Sequence, residues 1–184
     1  MNFIKRLPIY LILDCSSSMG GESAEAIKQA VKALIFELKS DPQTFESTYL
    51  SVITFSSKAQ QIIPLIQLTK FQEPKLTIGG TSCLGKALNL FVHCINMEMK
   101  QKSEFQKIDW LPLAFLFSDG EAIDNWKQPA KQLKEKNMAT IVACAVGAST
   151  NTIVLKEISE YLIIMNTLSI GDFAQYFFFK PDGL

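Results

Sequence analysis

The chain has 184 residues, 48% of them hydrophobic, with 18 Lys+Arg matched by 18 Asp+Glu. A chain of this size can bury a core without staples, so residues 1–184 are expected to form a single domain. Zero net charge leaves no electrostatic footprint for nucleic acid or an anionic membrane surface, and the apolar content excludes a disordered tail.

Lys5-Arg6 followed by Leu7–Leu13 has the charge-then-apolar order of a secretory leader. The run contains Pro8, ends at Asp14 and lacks a small-residue cleavage site, so it reads as a first buried strand. No apolar run approaches the roughly 18 residues that span a bilayer, and no membrane insertion is expected. Residues 24–39 repeat apolar groups at Ala24, Ile27, Ala30, Val31, Leu34, Ile35 and Leu38, which predicts a helix beginning near Glu22 and Ser23. Tyr49–Phe55 is rich in β-branched and aromatic residues and predicts a strand. Gln61–Leu68 predicts another, at a sheet edge because Pro64 cannot donate to a ladder. The short Ser56-Ser57-Lys58 turn makes this pair an antiparallel hairpin.

Residues 82–99 give a second amphipathic helix through Leu84, Leu88, Phe91, Val92, Ile95 and Met99. Leu111–Phe117 is a continuous apolar strand ending in Ser118-Asp119-Gly120. A helix should begin within Asp124–Gln128, with Pro129 in its first turn and Leu133 facing inward. Thr140–Val146 predicts a buried strand, Asn151–Ile158 a short helix, Tyr161–Met165 a last strand and Phe173–Phe179 part of a closing helix. Apolar runs alternating with helical patterns imply an α/β fold, doubly wound, with a mostly parallel central sheet, helices on both faces and one antiparallel edge strand. Cys15, Cys83, Cys94 and Cys144 show no C-x-x-C spacing. That points to free thiols of a cytoplasmic protein rather than a disulfide framework or a zinc site.

The chemistry concentrates where the first strand ends. In extended chain, Asp14, Ser16 and Ser18 share one face while Cys15 and Ser17 point away. One carboxylate and two hydroxyls suit a hard cation such as Mg²⁺, although Asp and Ser also serve as ordinary turn formers. In an open parallel sheet, ligands bind outside the carboxyl ends of strands where the strand order reverses. Asp119 ends the apolar strand Leu111–Phe117, and Gly79-Gly80 can swing the Thr81 hydroxyl over the same point.

D-C-S-S-S at 14–18, Thr81 after Gly79-Gly80, and Ser118-Asp119-Gly120 together resemble the metal-ion-dependent adhesion site (MIDAS) of the von Willebrand factor A domain, a Rossmann-like fold. The resemblance implies that Ser16 and Ser18 bind Mg²⁺ directly, with Mn²⁺ as a substitute. Thr81 would bind directly or through water, and Asp14 and Asp119 mostly through water. It also implies a protein partner whose Asp or Glu carboxylate completes the metal's shell. The wording of R-L-P-I-Y-L-I-L-D, Y-L-S-V-I-T-F, G-G-T-S-C-L-G-K-A-L, S-D-G-E-A-I-D-N-W and T-I-V-A-C-A-V-G is most similar to TerY-type proteins of bacterial tellurite-resistance and stress-response clusters. That implies other Ter proteins, a kinase or a phosphatase as partners.

Enzyme readings fare worse. Gly80–Ala87 nearly spells a phosphate-binding loop, but Ala87 has no hydroxyl for Mg²⁺. The single histidine, His93, falls mid-helix, so Ser16, Ser18 and Cys15 lack the usual general base. Trp126 belongs to the core in preference to a binding rim, and Glu22 and Glu121 read as helix-start and rim residues. A binding module without catalysis is therefore expected, with a Mg²⁺-dependent phosphoryl-transfer enzyme or subunit as the competing class.

Overall fold

A strand apolar along its whole length must be covered on both faces, and the first strand, Leu7–Asp14, is buried from end to end. The computed structural model describes residues 5–99 and 109–165. In chain order its elements are β1 (Leu7–Asp14), α1 (Glu22–Ser40), α2 (Pro42–Ser47), β2 (Thr48–Phe55), β3 (Ala59–Gln67), α3 (Leu84–Glu98), β4 (Leu113–Ser118), α4 (Lys127–Glu135), β5 (Thr140–Ala145), α5 (Thr152–Ile158) and β6 (Tyr161–Ile164). The expected closing helix at Phe173–Phe179 lies outside the described residues.

The six strands are ordered β3-β2-β1-β4-β5-β6. β1 pairs in parallel with β2 and β4, as do β4 with β5 and β5 with β6, while β3 runs antiparallel to β2 at one edge. The period-2 alternation of strand side chains splits the interior into two cores. Ile9, Leu11 and Leu13 meet Ile27, Val31, Leu34 and Leu38 of α1. Tyr10 and Ile12 face Leu88 and Phe91 of α3, with Leu133 of α4 and Leu155 of α5 in the same core. This is the doubly wound arrangement expected from the sequence. The chain leaves β1 on one side for β2 and returns on the other through β4, so the strand order reverses between β1 and β4.

Three local readings shift. β3 begins at Ala59, two residues early, because Phe55↔Ala59 and Thr54↔Gln60 continue the ladder. Gln60 is exposed at this edge, so its polarity hid the strand. β4 begins at Leu113 rather than Leu111, which is 40% exposed. The short helix α2 was not expected. Asp41 caps it by accepting from Thr44 N at 2.7 Å, and Pro42 opens its first turn.

Near the amino-terminal end of β1, Arg6 pairs with Asp109 through both carboxylate oxygens. Glu98 accepts from Tyr10 Oη at 2.8 Å, Gln61 Nε2 at 2.9 Å and Leu65 N at 3.0 Å. This polar cluster ties α3 to the edge strand β3.

The Thr48 hydroxyl is fully buried and has no hydrogen-bond partner among the described residues. Thr48→Val keeps the shape and removes an unmet hydroxyl, so it should raise stability by about 1 kcal/mol in urea unfolding. A loss of stability instead would mean that the hydroxyl is satisfied.

Candidate metal centre

Asp14 ends β1 and is fully buried. Its Oδ1 accepts from Ser16 N at 2.9 Å, and its Oδ2 accepts from Ser82 Oγ at 2.9 Å and Ser118 Oγ at 2.8 Å. Burial pushes the carboxyl above the usual carboxylate range, while the bonds from Ser16, Ser118 and Ser82 pull it back. The anion is thus held by donors from three separate segments at the switch point.

Beyond Asp14 the chain does not stay extended. Ser17–Met19 forms a 3-10 turn, closed by Met19 N donating to Ser16 O at 3.0 Å and anchored by the fully buried Met19 side chain. Asp14, Ser16 and Ser18 still converge, but through this turn rather than along a strand face. Ser16 Oγ and Ser18 Oγ lie 3.2 Å apart. Adjacent ligands of an octahedral ion with bonds of 2.0–2.1 Å sit about 2.9 Å apart, so this hydroxyl pair fits two neighbouring coordination positions. Ser16 is buried and Ser18 exposed, which opens the pair to solvent on one side. The residues therefore fit a hard divalent cation: oxygen donors only, two hydroxyls at coordination spacing, and a buried carboxylate beside them.

Backbone bonds bring the Thr81 loop alongside. Gly79 N donates to Cys15 O at 2.8 Å, and Ser17 N donates to Gly80 O at 2.9 Å. Gly80 has φ +87°, and a Cβ there would come 2.5 Å from Ser57 Oγ, so glycine is favoured. Thr81 is exposed, with its N and Oγ1 at 3.1 and 3.2 Å from Ser57 Oγ. Among the described residues no hydrogen bond joins Thr81 to Asp14, Ser16, Ser18 or Asp119.

Asp119 follows β4 and is 8% exposed. Its Oδ1 accepts from Glu121 N at 3.0 Å, and its backbone carbonyl accepts from Asn151 N at 2.7 Å. Gly120, at φ +76°, passes so close to Asn151 O that a Cβ would lie 2.4 Å from it. Ser118 Oγ joins the two halves of the site, since it donates to Asp14 and accepts from Gly120 N at 3.0 Å. The structure thus links Asp14, Ser16 and Ser18 closely, Asp119 through Ser118, and Thr81 through its loop backbone.

Ser82 and Ser118 are the residues that sequence reasoning passed over. Each sits next to an expected ligand, and that adjacency was the available signal. Cys15 is turned into the α1-side core, its thiol pushed up to about 11 by burial and by the neighbouring Asp14 charge. His93 is exposed on α3, and Lys86 Nζ donates to Ser57 O at 2.9 Å. Trp126 is half-buried against the α3-side core, as expected. Among the described residues no three His, Cys, Asp or Glu side chains form a metal cluster, so any ion here relies on hydroxyls. No helix among them is long and apolar enough to cross a membrane.

Residues 9–182 match the family described as the von Willebrand factor type A domain. Solved structures agree on the fold. An aerotolerance-related membrane protein from Bacteroides fragilis aligns with TM-score 0.65 at 16% identity, covering 92% of this chain and 96% of that one. BatB from Bacteroides thetaiotaomicron aligns with TM-score 0.60 at 17% identity, covering 86% and 89%. Proximal thread matrix protein 1 from the mussel byssus, in a structure with a zinc-occupied MIDAS motif, aligns with TM-score 0.64 at 20% identity. That alignment covers 94% of this chain but only 46% of the mussel protein. No curated protein sequence matches the chain.

Ser118 tests how the site is held. Ser118→Ala strips one donor from a buried carboxylate and leaves Gly120 N without its acceptor, which should cost about 1–3 kcal/mol in urea unfolding with EDTA present. Wild-type stability in that variant would show that Ser118 is not what joins the two loops.

Proposed function

The chain belongs to the von Willebrand factor type A domain family, and from that premise we propose that it binds a protein partner through a divalent metal, Mg²⁺ or Mn²⁺, held by Asp14, Ser16, Ser18, Thr81 and Asp119. The observation that carries this reading is the buried Asp14 carboxylate, met by Ser16 N, Ser82 and Ser118, beside two hydroxyls at coordination spacing. When bound, the metal supplies a Lewis-acidic position that a partner's Asp or Glu carboxylate can fill.

The protein's own groups do the rest. Ser16 and Ser18 offer neutral oxygens, so the ion keeps most of its charge for an outside anion. Asp14, fixed by three donors, balances part of that charge without entering the exposed face. Asp119 adds a second carboxylate across the switch point, and the Thr81 loop borders the opening. Domains of this family typically act as interaction modules rather than catalysts. The similarity to TerY-type chains supports a cytoplasmic setting in a bacterial tellurite-resistance or stress-response system, with other Ter proteins, a kinase or a phosphatase as partners. Residues 1–184 then act as one domain.

Two experiments bear on this. In calorimetry, Mg²⁺ and Mn²⁺ should bind the wild type, and Ser16→Ala with Ser18→Ala should abolish that binding. The zinc-occupied motif of the mussel protein makes Zn²⁺ the competitor to include. Tight zinc binding that survives the double substitution would reject an oxygen-only site.

Asp119→Ala should separate function from fold. Among the described residues its side chain makes one local bond, to the N of the exposed Glu121, so the metal-free variant should melt within about 1 kcal/mol of wild type. Metal affinity should fall by well over tenfold, on the scale of losing a ligand or its support, and partner capture in Mg²⁺ should fail. Normal capture by the variant would remove the metal bridge from the account. If EDTA lowers the melting temperature but leaves capture unchanged, the metal is structural only. Phosphatase or nucleotidase turnover lost in Asp119→Ala would instead establish the enzyme reading.

A further inference from the structure

A groove of about 460 Å³ opens beside the metal loops, lined in part by Cys15, Ser57, Lys58, Ile62, Lys75 and Gly79. One wall is the β2–β3 turn with the start of β3, and the other is the irregular segment 75–79. It shares Ser57 with Thr81, through the 3.1 Å bond from Thr81 N, and Gly79 with Cys15, through the 2.8 Å backbone bond. The groove therefore borders the loops that carry Ser16 and Thr81.

Its charge is one-sided. Lys58 and Lys75 are both exposed, and no Asp or Glu lines the groove. Neither ammonium pairs with a carboxylate among the described residues, whereas Lys28, Lys32 and Lys131 each have such a partner. Glu73, two residues before the lining segment, pairs with Lys32 of α1 at 4.0 Å. Lys86 adds a third positive charge at the rim, with its Nζ on Ser57 O at 2.9 Å. In a chain of zero net charge, an unpaired cationic groove beside these loops is a local feature rather than a global bias.

We propose that this groove receives an acidic peptide segment of the protein partner, its further carboxylates pairing with Lys58 and Lys75 while one carboxylate reaches the metal. The inference rests on the metal-dependent partner binding proposed above and names the chemistry of that partner. A run of acidic residues would gain one metal bond and two ion pairs, which distinguishes it from a lone exposed Asp or Glu. Exposed ion pairs are individually weak and screened by salt, so the groove would act as a selector rather than the main source of affinity.

The test uses fluorescein-labelled hexaglutamate as the probe, with anisotropy read in Mg²⁺ and in EDTA, and Mg²⁺ binding measured separately by calorimetry. Wild type should bind the probe in Mg²⁺, hexaglutamine should not bind, and Lys58→Ala with Lys75→Ala should weaken binding about fivefold or more. Lys58→Glu with Lys75→Glu should weaken it further, while Lys39→Ala with Lys131→Ala should change nothing. Both lysines are exposed, so the variants should fold, and their Mg²⁺ affinity should match wild type. Unchanged probe binding in the double variants, or no binding by wild type, overturns the groove assignment even where Mg²⁺ binds normally. Lysine-dependent binding that is equally strong in EDTA keeps the groove and removes the metal reading beneath it. A thymidine octanucleotide bound more tightly than hexaglutamate would assign the groove to nucleic acid and overturn the proposal.

Discussion

A carboxylate withdrawn from water must be met by donors or neutralised, and in this fold Asp14 stands under that demand at the centre of the sheet. It meets it with an amide from its own loop and two hydroxyls, Ser82 before α3 and Ser118 at the end of β4. The two hydroxyl bonds join segments far apart in sequence, so the geometry of the carboxyl edge follows from how one side chain is satisfied. Ser118 extends the link to Gly120 and thereby orients the loop that carries Asp119.

The same constraint separates support from contact. Asp14, Ser82 and Ser118 are buried, whereas Ser18 and Thr81 face outward. An ion set against this edge would have its charge balanced from below by a fixed anion and left available above. Glycine is favoured where the loops cross closely: Gly80 by its positive φ, and Gly120 because the Asn151 backbone leaves no room for a Cβ. The polar cluster of Arg6, Glu98, Tyr10 and Asp109 gathers near the other end of β1, so this strand carries an ordered polar group at each end of an apolar body.

Much of this was legible in the sequence, for identifiable reasons. β1 and β4 are central parallel strands buried on both faces, and such strands announce themselves as unbroken apolar runs. Asp14 and Asp119 stand out because charge directly after such a run is rare. The edge strand was harder to bound, since Gln60 and Gln61 face solvent or a polar cluster and carry no strand signature. α2 was missed because six residues give too little periodicity, although Asp41-Pro42 is a start signal. Ser16 and Ser18 do lie side by side, but by another geometry than an extended strand, because nothing local announced the tight turn that Met19 anchors. Ser82 and Ser118 escaped notice because their role exists only once β1, β4 and the α3 loop meet. Adjacency to an expected ligand hints at such a hydroxyl, but nothing in the sequence names the distant carboxylate it will serve.

The central claim is that this edge of the sheet is a hydroxyl-lined divalent-metal site, and anomalous scattering from crystals grown with Mn²⁺ tests it most directly. The account predicts one strong Mn²⁺ peak within bonding distance of both Ser16 Oγ and Ser18 Oγ. A fully occupied Mn²⁺ elsewhere on the protein, with none at the two serines, would contradict it.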